Sequence, residues 1–139
     1  MTVSATYRCG ACGEVASTVT LVEPGQPDPG LATGPPGVPP GLATLFASIA
    51  PDQAQISIAG GPISMSHGFV PMADVTVALE SGDPAALFAI DSEYAPFWCP
   101  TCRLSYCREH YRTYTVLDEG FFDYTGGICP EGHERKLED

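Results

Sequence analysis

Apolar and small polar residues alternate from Val15 to Val22, Val-Ala-Ser-Thr-Val-Thr-Leu-Val, which predicts a β-strand. Gln53 to Ile58 alternates again, placing Ala54, Ile56 and Ile58 on one face. Gly60-Gly61 then supplies a turn before Ile63 to Ser66, and Pro62 confines this second short strand to a sheet edge. The period lengthens after that. Met72, Val75, Ala78 and Leu79 recur at helical spacing, and Ser81-Gly82 stops the helix. Asp83 offers an N-cap and Pro84 a first helical position, so Ala85 to Ile90 reads as a second short helix. Thr113 to Leu117 has strand composition, Asp118-Glu119-Gly120 turns the chain, and Phe121 to Tyr124 returns as the hairpin partner. Glu134 to Asp139 is mostly charged and is expected to be an exposed tail.

Between the first two strands the pattern is lost. Pro24 to Gly41 is dominated by Gly and Pro, a density through which neither a helix nor a ladder strand can run. Pro-Gly-Leu-Ala-Thr occurs at 29 to 33 and again at 40 to 44, the mark of a local duplication, and Leu42 to Ala50 is expected to form a short helix ended by Pro51. The elements together predict a small α+β fold of short β-hairpins, two short helices and a Gly/Pro-rich loop. It is expected to be a single domain over 1–139, with a flexible loop at 24–41, an inserted α+β subdomain at 42–97 and the main ligand region at 98–133.

Charge narrows the function classes. Six Lys and Arg against 17 Asp and Glu give a formal net charge of -11, which repels phosphate backbones and anionic headgroups. Two bound dications set against six thiolates would leave the chain more negative still. Nucleic acid is therefore not an expected partner. No stretch approaches the ~20 apolar residues of a membrane span, and Met1 to Arg8 has no leader pattern, so a cytoplasmic protein is expected.

In that reducing compartment six cysteines point to metal rather than to disulfides. They fall into pairs with two of the three histidines: Cys9-x2-Cys12, Cys99-x2-Cys102, Cys107-x2-His110 and Cys129-x3-His133. Such spacing aims two donors at one ion, and three disulfides would leave both histidines without a reason. Eight donors make two closed four-ligand sites, so two structural zinc ions are the expected cofactors. Gly10 and Gly13 should permit positive φ in the first knuckle. Spacing alone leaves consecutive, nested and interleaved pairings open.

The stretch Cys-x2-Cys-x3-Tyr-Cys-x2-His-Tyr-Arg at 99 to 112 resembles the heart of the AN-one-type zinc finger, with its aromatic residue just before a Cys-x2-His. The likeness covers these residues and the first knuckle. The separation of Cys12 from Cys99 is far longer than in that family, and Cys129-x3-His133 replaces its usual ending. The resemblance, shared with the RING and treble-clef-like group, implies a cross-brace: Cys9, Cys12, Cys107 and His110 as one site, Cys99, Cys102, Cys129 and His133 as the other. It also implies a protein-interaction module, often one working around ubiquitin-like modifiers.

A catalytic zinc keeps a position open for water, and two fours leave none, which disfavours an enzyme. The leftover His67, near Ser64, Ser66 and Asp74, lacks a nucleophile-elbow pattern and is expected to be a surface or hydrogen-bonded residue. The expected partner is another protein, met through the exposed part of Tyr94, Phe97, Trp98, Tyr106, Tyr111, Phe121 and Phe122, most of which should be core around the metals. The rival is a RING-like ligase that recruits a ubiquitin-like modifier or its conjugating enzyme, with Arg135 just beyond the last ligand as the cation touching the modifier. A redox role for Cys99-x2-Cys102 would need a thioredoxin-like context that the chain lacks.

Overall fold

The computed structural model describes residues 3–26 and 53–139. The expected helix at 42–50 and most of the Gly/Pro-rich loop lie outside them. Strands β1 (Val3–Arg8), β2 (Val15–Val22), β3 (Gln55–Ala59) and β4 (Met65–Gly68) form one antiparallel sheet in the order β1-β2-β3-β4. β3 pairs directly with β2, Leu21 opposite Ile56 and Val19 opposite Ile58, so residues 55–68 continue the sheet begun at the N-terminus. β4 sits at the edge, where Pro62 predicted it. β1 was not expected as a strand, because the knuckle that follows it dominates the local reading.

Helix α1 (Met72–Ser81) lies against β1 and β2 and buries Val75, Ala78 and Leu79 in the same core as Val19, Leu21, Ile56 and Ile58. Helix α2 (Pro84–Ile90) starts as the sequence predicts, with the Asp83 carboxylate accepting from the Ala85 N–H at 2.9 Å. After a 3-10 turn at Ser92–Tyr94 the chain enters its most buried run, Tyr94 to Cys99. Phe97 stacks on Tyr7 at 4.9 Å between centroids, and Trp98 meets Phe88 edge-on at 5.1 Å. These rings join the four-stranded sheet to the metal-ligand region. The two-residue strands β5 (Trp98–Cys99) and β6 (Leu104–Ser105) then pair across the second Cys-x2-Cys turn.

The remaining strands, β7 (Arg112–Asp118), β8 (Phe121–Ile128) and β9 (Glu134–Glu138), form a three-stranded antiparallel sheet in that order. β9 corrects the expected exposed tail. Its charged residues mask one alternation in which Leu137 points inward and is 0% exposed, packed beside Tyr111 at Gly127. A β-carbon at Gly127 would lie 2.6 Å from Leu137 Cδ1 and 2.8 Å from Tyr111 Cε1, and neither buried side chain has room to withdraw. Gly127→Ala should therefore destabilise the fold by about 2 kcal/mol through overpacking, a fall in Tm of roughly 7 °C by calorimetry. An unchanged Tm would show that the two side chains yield freely.

Candidate metal centres

Each knuckle is built by the same local device. In the first, the Gly13 N–H donates to the Cys9 carbonyl (2.9 Å) and the Cys9 N–H to the Glu14 carbonyl (2.7 Å). In the second, the Arg103 N–H donates to the Cys99 carbonyl at 2.8 Å. The residue after each Cys-x2-Cys is left-handed, Gly13 at φ 77° and Arg103 at φ 57°, and this reversal turns both thiols to one side. Gly10, expected to share that conformation, does not have positive φ. Its reason is proximity: a β-carbon there would lie 3.1 Å from the Leu104 side chain, where the Gly10 N–H meets the Ser105 carbonyl. In the last pair the Cys129 N–H bonds the His133 carbonyl and the Gly132 N–H the Cys129 carbonyl, which folds His133 back onto Cys129.

The eight residues converge as two groups. Cys9 and Cys12 meet Cys107 and His110, and Cys99 and Cys102 meet Cys129 and His133, with the donor atoms of each group within 4.8 Å of one another. The first sequence pair thus joins the third, and the second joins the fourth. His67 belongs to neither group. It is half-buried on β4, Nε2 facing the Met65 sulfur at 2.7 Å and the ring near Tyr94.

The spacing of the donors tests the fit to an ion. A tetrahedral zinc, with bonds of about 2.3 Å to sulfur and about 2.0 Å to nitrogen, holds its ligands about 3.8 Å apart for two sulfurs and about 3.5 Å for sulfur and nitrogen. Cys12 and Cys107 are 3.7 Å apart, and Cys102 and Cys129 3.8 Å. The sulfur to Nδ1 distances run from 3.2 Å (Cys102 to His133) to 3.7 Å (Cys9 to His110, Cys99 to His133). These separations match the edges of a tetrahedral zinc site in both groups. Four protein donors close each one, so neither leaves a position for water or substrate.

Backbone N–H groups polarise the sulfurs from outside. Ala11 donates to Cys9, Cys102 to Cys99 and His133 to Cys129, each at 3.4 Å. Burial would raise the Cys9 pKa, but the backbone donors at Cys107, Ala11 and Cys12 outweigh it and hold the thiol down at about 6. Cys102 runs the other way. The nearby Tyr106 hydroxyl lowers its pKa, yet burial and the neighbouring Cys99 and Cys129 push it up to about 11. Three sulfurs within one group cannot all ionise without a nearby cation, and a dication supplies that charge. Tyr106 was visible in the sequence only as the aromatic residue before Cys107. Its influence on the other cluster has no sequence signal.

The aromatic set divides clearly. Tyr94, Phe97, Trp98, Tyr106 and Tyr111 are buried, whereas Phe121 is 77% and Phe122 52% exposed at the tip of the β7–β8 hairpin. Arg135 is no free tail cation. Nη1 donates to the Ala95 and Trp98 carbonyls (3.0 and 2.8 Å), Nη2 to Ser92 (2.8 Å) and Nε to Lys136 (3.2 Å), while the guanidinium lies over the Phe88 ring.

Fold and sites together define a small α+β protein with two zinc-finger-like Cys3His groups interleaved along the chain. It belongs to the family described as a domain of unknown function, DUF8328, whose model spans residues 1–139. No curated protein and no solved structure matches the chain. Among the described residues no helix is long and apolar enough to cross a membrane.

Proposed function

We propose that this chain is a zinc-binding protein–protein interaction module whose two zinc ions are structural. The observation that carries the reading is the tip of the β7–β8 hairpin. Leu117 (61% exposed), Phe121 and Phe122 stand in solvent there, around a tight turn in which Glu119 and Gly120 both have positive φ. Large apolar side chains grouped on one protrusion mark a contact surface rather than ordinary surface composition. The base of the hairpin is anchored through Arg112 paired with Ile128, each beside a metal-ligand segment. A preorganised hairpin loses little entropy on docking. With two closed sites, the metals hold this surface in place and take no part in chemistry.

The rival reading, a RING-like ligase acting with a ubiquitin-like conjugation system, leaned on Arg135 as a cation available to the modifier. Its guanidinium is committed to carbonyls, so that support is gone. A cytoplasmic setting remains part of the proposal, because it keeps the thiols reduced.

The surface can be tested without knowing the partner. A photo-crosslinking phenylalanine analogue at position 122, expressed in cells of origin, should trap a discrete protein adduct that disappears when Phe121→Ser is added. Phe121→Ser with Phe122→Ser should leave zinc content intact and alter stability by no more than about 0.5 kcal/mol, as expected for exposed positions. Equal labelling from an analogue at position 64, in the exposed turn between β3 and β4, or no adduct from 122, would overturn the hairpin as the contact surface.

A further inference from the structure

A second surface lies on the helical side, away from the hairpin. Helices α1 and α2 leave an open groove of about 290 Å³ between them, lined by Asp74, Val77, Ala78, Ser81, Ala86 and Ile90. The spacing explains the lining. Asp74, Val77 or Ala78, and Ser81 fall at i, i+3 or i+4, and i+7 along one face of α1, and Ala86 and Ile90 at i and i+4 along α2. Val77 is 67% exposed in this groove.

The polar groups of the groove specify what it accepts. The Ser81 hydroxyl is already used, donating to the Ala78 carbonyl at 2.6 Å and accepting from the Asp83 N–H at 3.2 Å. That leaves the Asp74 carboxylate, which is acceptor-only when ionised and calls for a donor, best a cation. The surrounding sequence strengthens this demand. From 72 to 93 the chain carries Asp74, Glu80, Asp83, Asp91 and Glu93 and no Lys or Arg. The volume is at the lower end of ligand sites and the groove is open along its length. It suits one or two side chains of a peptide segment better than an enclosed small molecule.

We propose that the α1–α2 groove is a docking site for a segment of a partner protein in which an apolar side chain sits beside Lys or Arg. The apolar side chain lies between Val77, Ala78, Ala86 and Ile90, and the cation pairs with Asp74. A second copy of this chain is a poor occupant, since two bodies of net charge -11 repel. The site is separate from the hairpin and stands or falls independently of it.

The test uses the zinc-loaded full chain and three fluorescent 14-residue peptides: an amphipathic Leu/Lys helix, its Ser/Lys analogue and its Leu/Glu analogue. Anisotropy should show Leu/Lys binding at least tenfold more tightly than either analogue. Asp74→Asn should weaken Leu/Lys binding about fivefold, as expected for one partly exposed charge pair, and Val77→Ser should weaken it while leaving the charge unchanged. Asp118→Asn, the same charge change at the hairpin, should have no effect. Equal losses from Asp74→Asn and Asp118→Asn, or equal binding of Leu/Lys and Ser/Lys, would reduce the attraction to general acidity and overturn the proposal. Loss through Phe121→Ser with Phe122→Ser but not through Val77→Ser would also overturn it by moving the peptide to the hairpin. Dimerisation in sedimentation that Val77→Ser abolishes would replace the partner protein with a second copy.

Discussion

Cys102→Ser is expected to abolish the cooperative thermal transition, and Cys107→Ser to do the same through the other site. Structural zinc in small domains contributes ~10–16 kcal/mol of binding free energy per site at neutral pH, whereas a whole domain is stable by only ~5–15 kcal/mol. Removing one thiolate from a closed tetrahedron therefore takes away more than the fold has to spare. Cys102 closes the group that pins β5 to the turn between β8 and β9, and Cys107 closes the one that pins the β1–β2 turn to the centre. Native mass spectrometry should find two zinc ions in the wild type and fewer in either variant, with the transition followed by circular dichroism. A chelator should reproduce the effect on the wild type. So should acid, because protons compete with the metal for thiolates, so stability falls with pH. A sharp wild-type-like transition in either variant would mean that the group concerned does not hold the fold.

The second large effect is expected from Arg135→Ala. One side chain gathers the carbonyls of Ser92, Ala95 and Trp98, which face it from the turn between α2 and β5, and Ala95 and Trp98 are buried. Alanine would take the charged donors from these carbonyls, of which Ser92 and Ala95 keep one backbone N–H each, and strip the cation from Phe88, a loss of about 3 kcal/mol, or roughly 10 °C in Tm. Both zinc ions should stay bound. Arg135→Lys should rescue little, since an ammonium cannot present a planar fork to three carbonyls. A Tm within about 2 °C of the wild type for Arg135→Ala would leave the carbonyl clamp without energetic weight.

How far the sequence could be read depended on whether a residue's role is local. Coordination fixes the spacing of donors, so all eight metal-ligand candidates stood out as pairs before any fold was known. Val15 to Val22 and the two helices were equally legible, because their periodicities and the Asp83-Pro84 start express local physics. Which pair meets which could not be read from spacing and came only through the resemblance at 99 to 112. β9 was missed because five of its neighbouring positions are charged and a single Leu137 carries its inward face. Arg135 was misjudged for a related reason. Its partners are backbone carbonyls some 40 residues earlier, and carbonyls are present at every residue, so no side chain announces them. Phe121 and Phe122 belong to an aromatic set in which only the fold separates exposed rings from the five that are buried.

Drawn as a line with its metal groups joined by arcs, the chain has two arcs that cross, one from residue 9 to 110 and one from 99 to 133. The shortest of the links from one group to the other is the bridge Arg103-Leu104-Ser105-Tyr106, after Cys102 and before Cys107. Tyr106 makes the crossing physical: its backbone leads into Cys107 of one group while its hydroxyl lies close enough to Cys102 of the other to shift the acidity of that thiol. Two ions held there would therefore not act as independent rivets. Whatever straightens the bridge to suit one site is felt at the other, and linkage makes that influence equal in both directions.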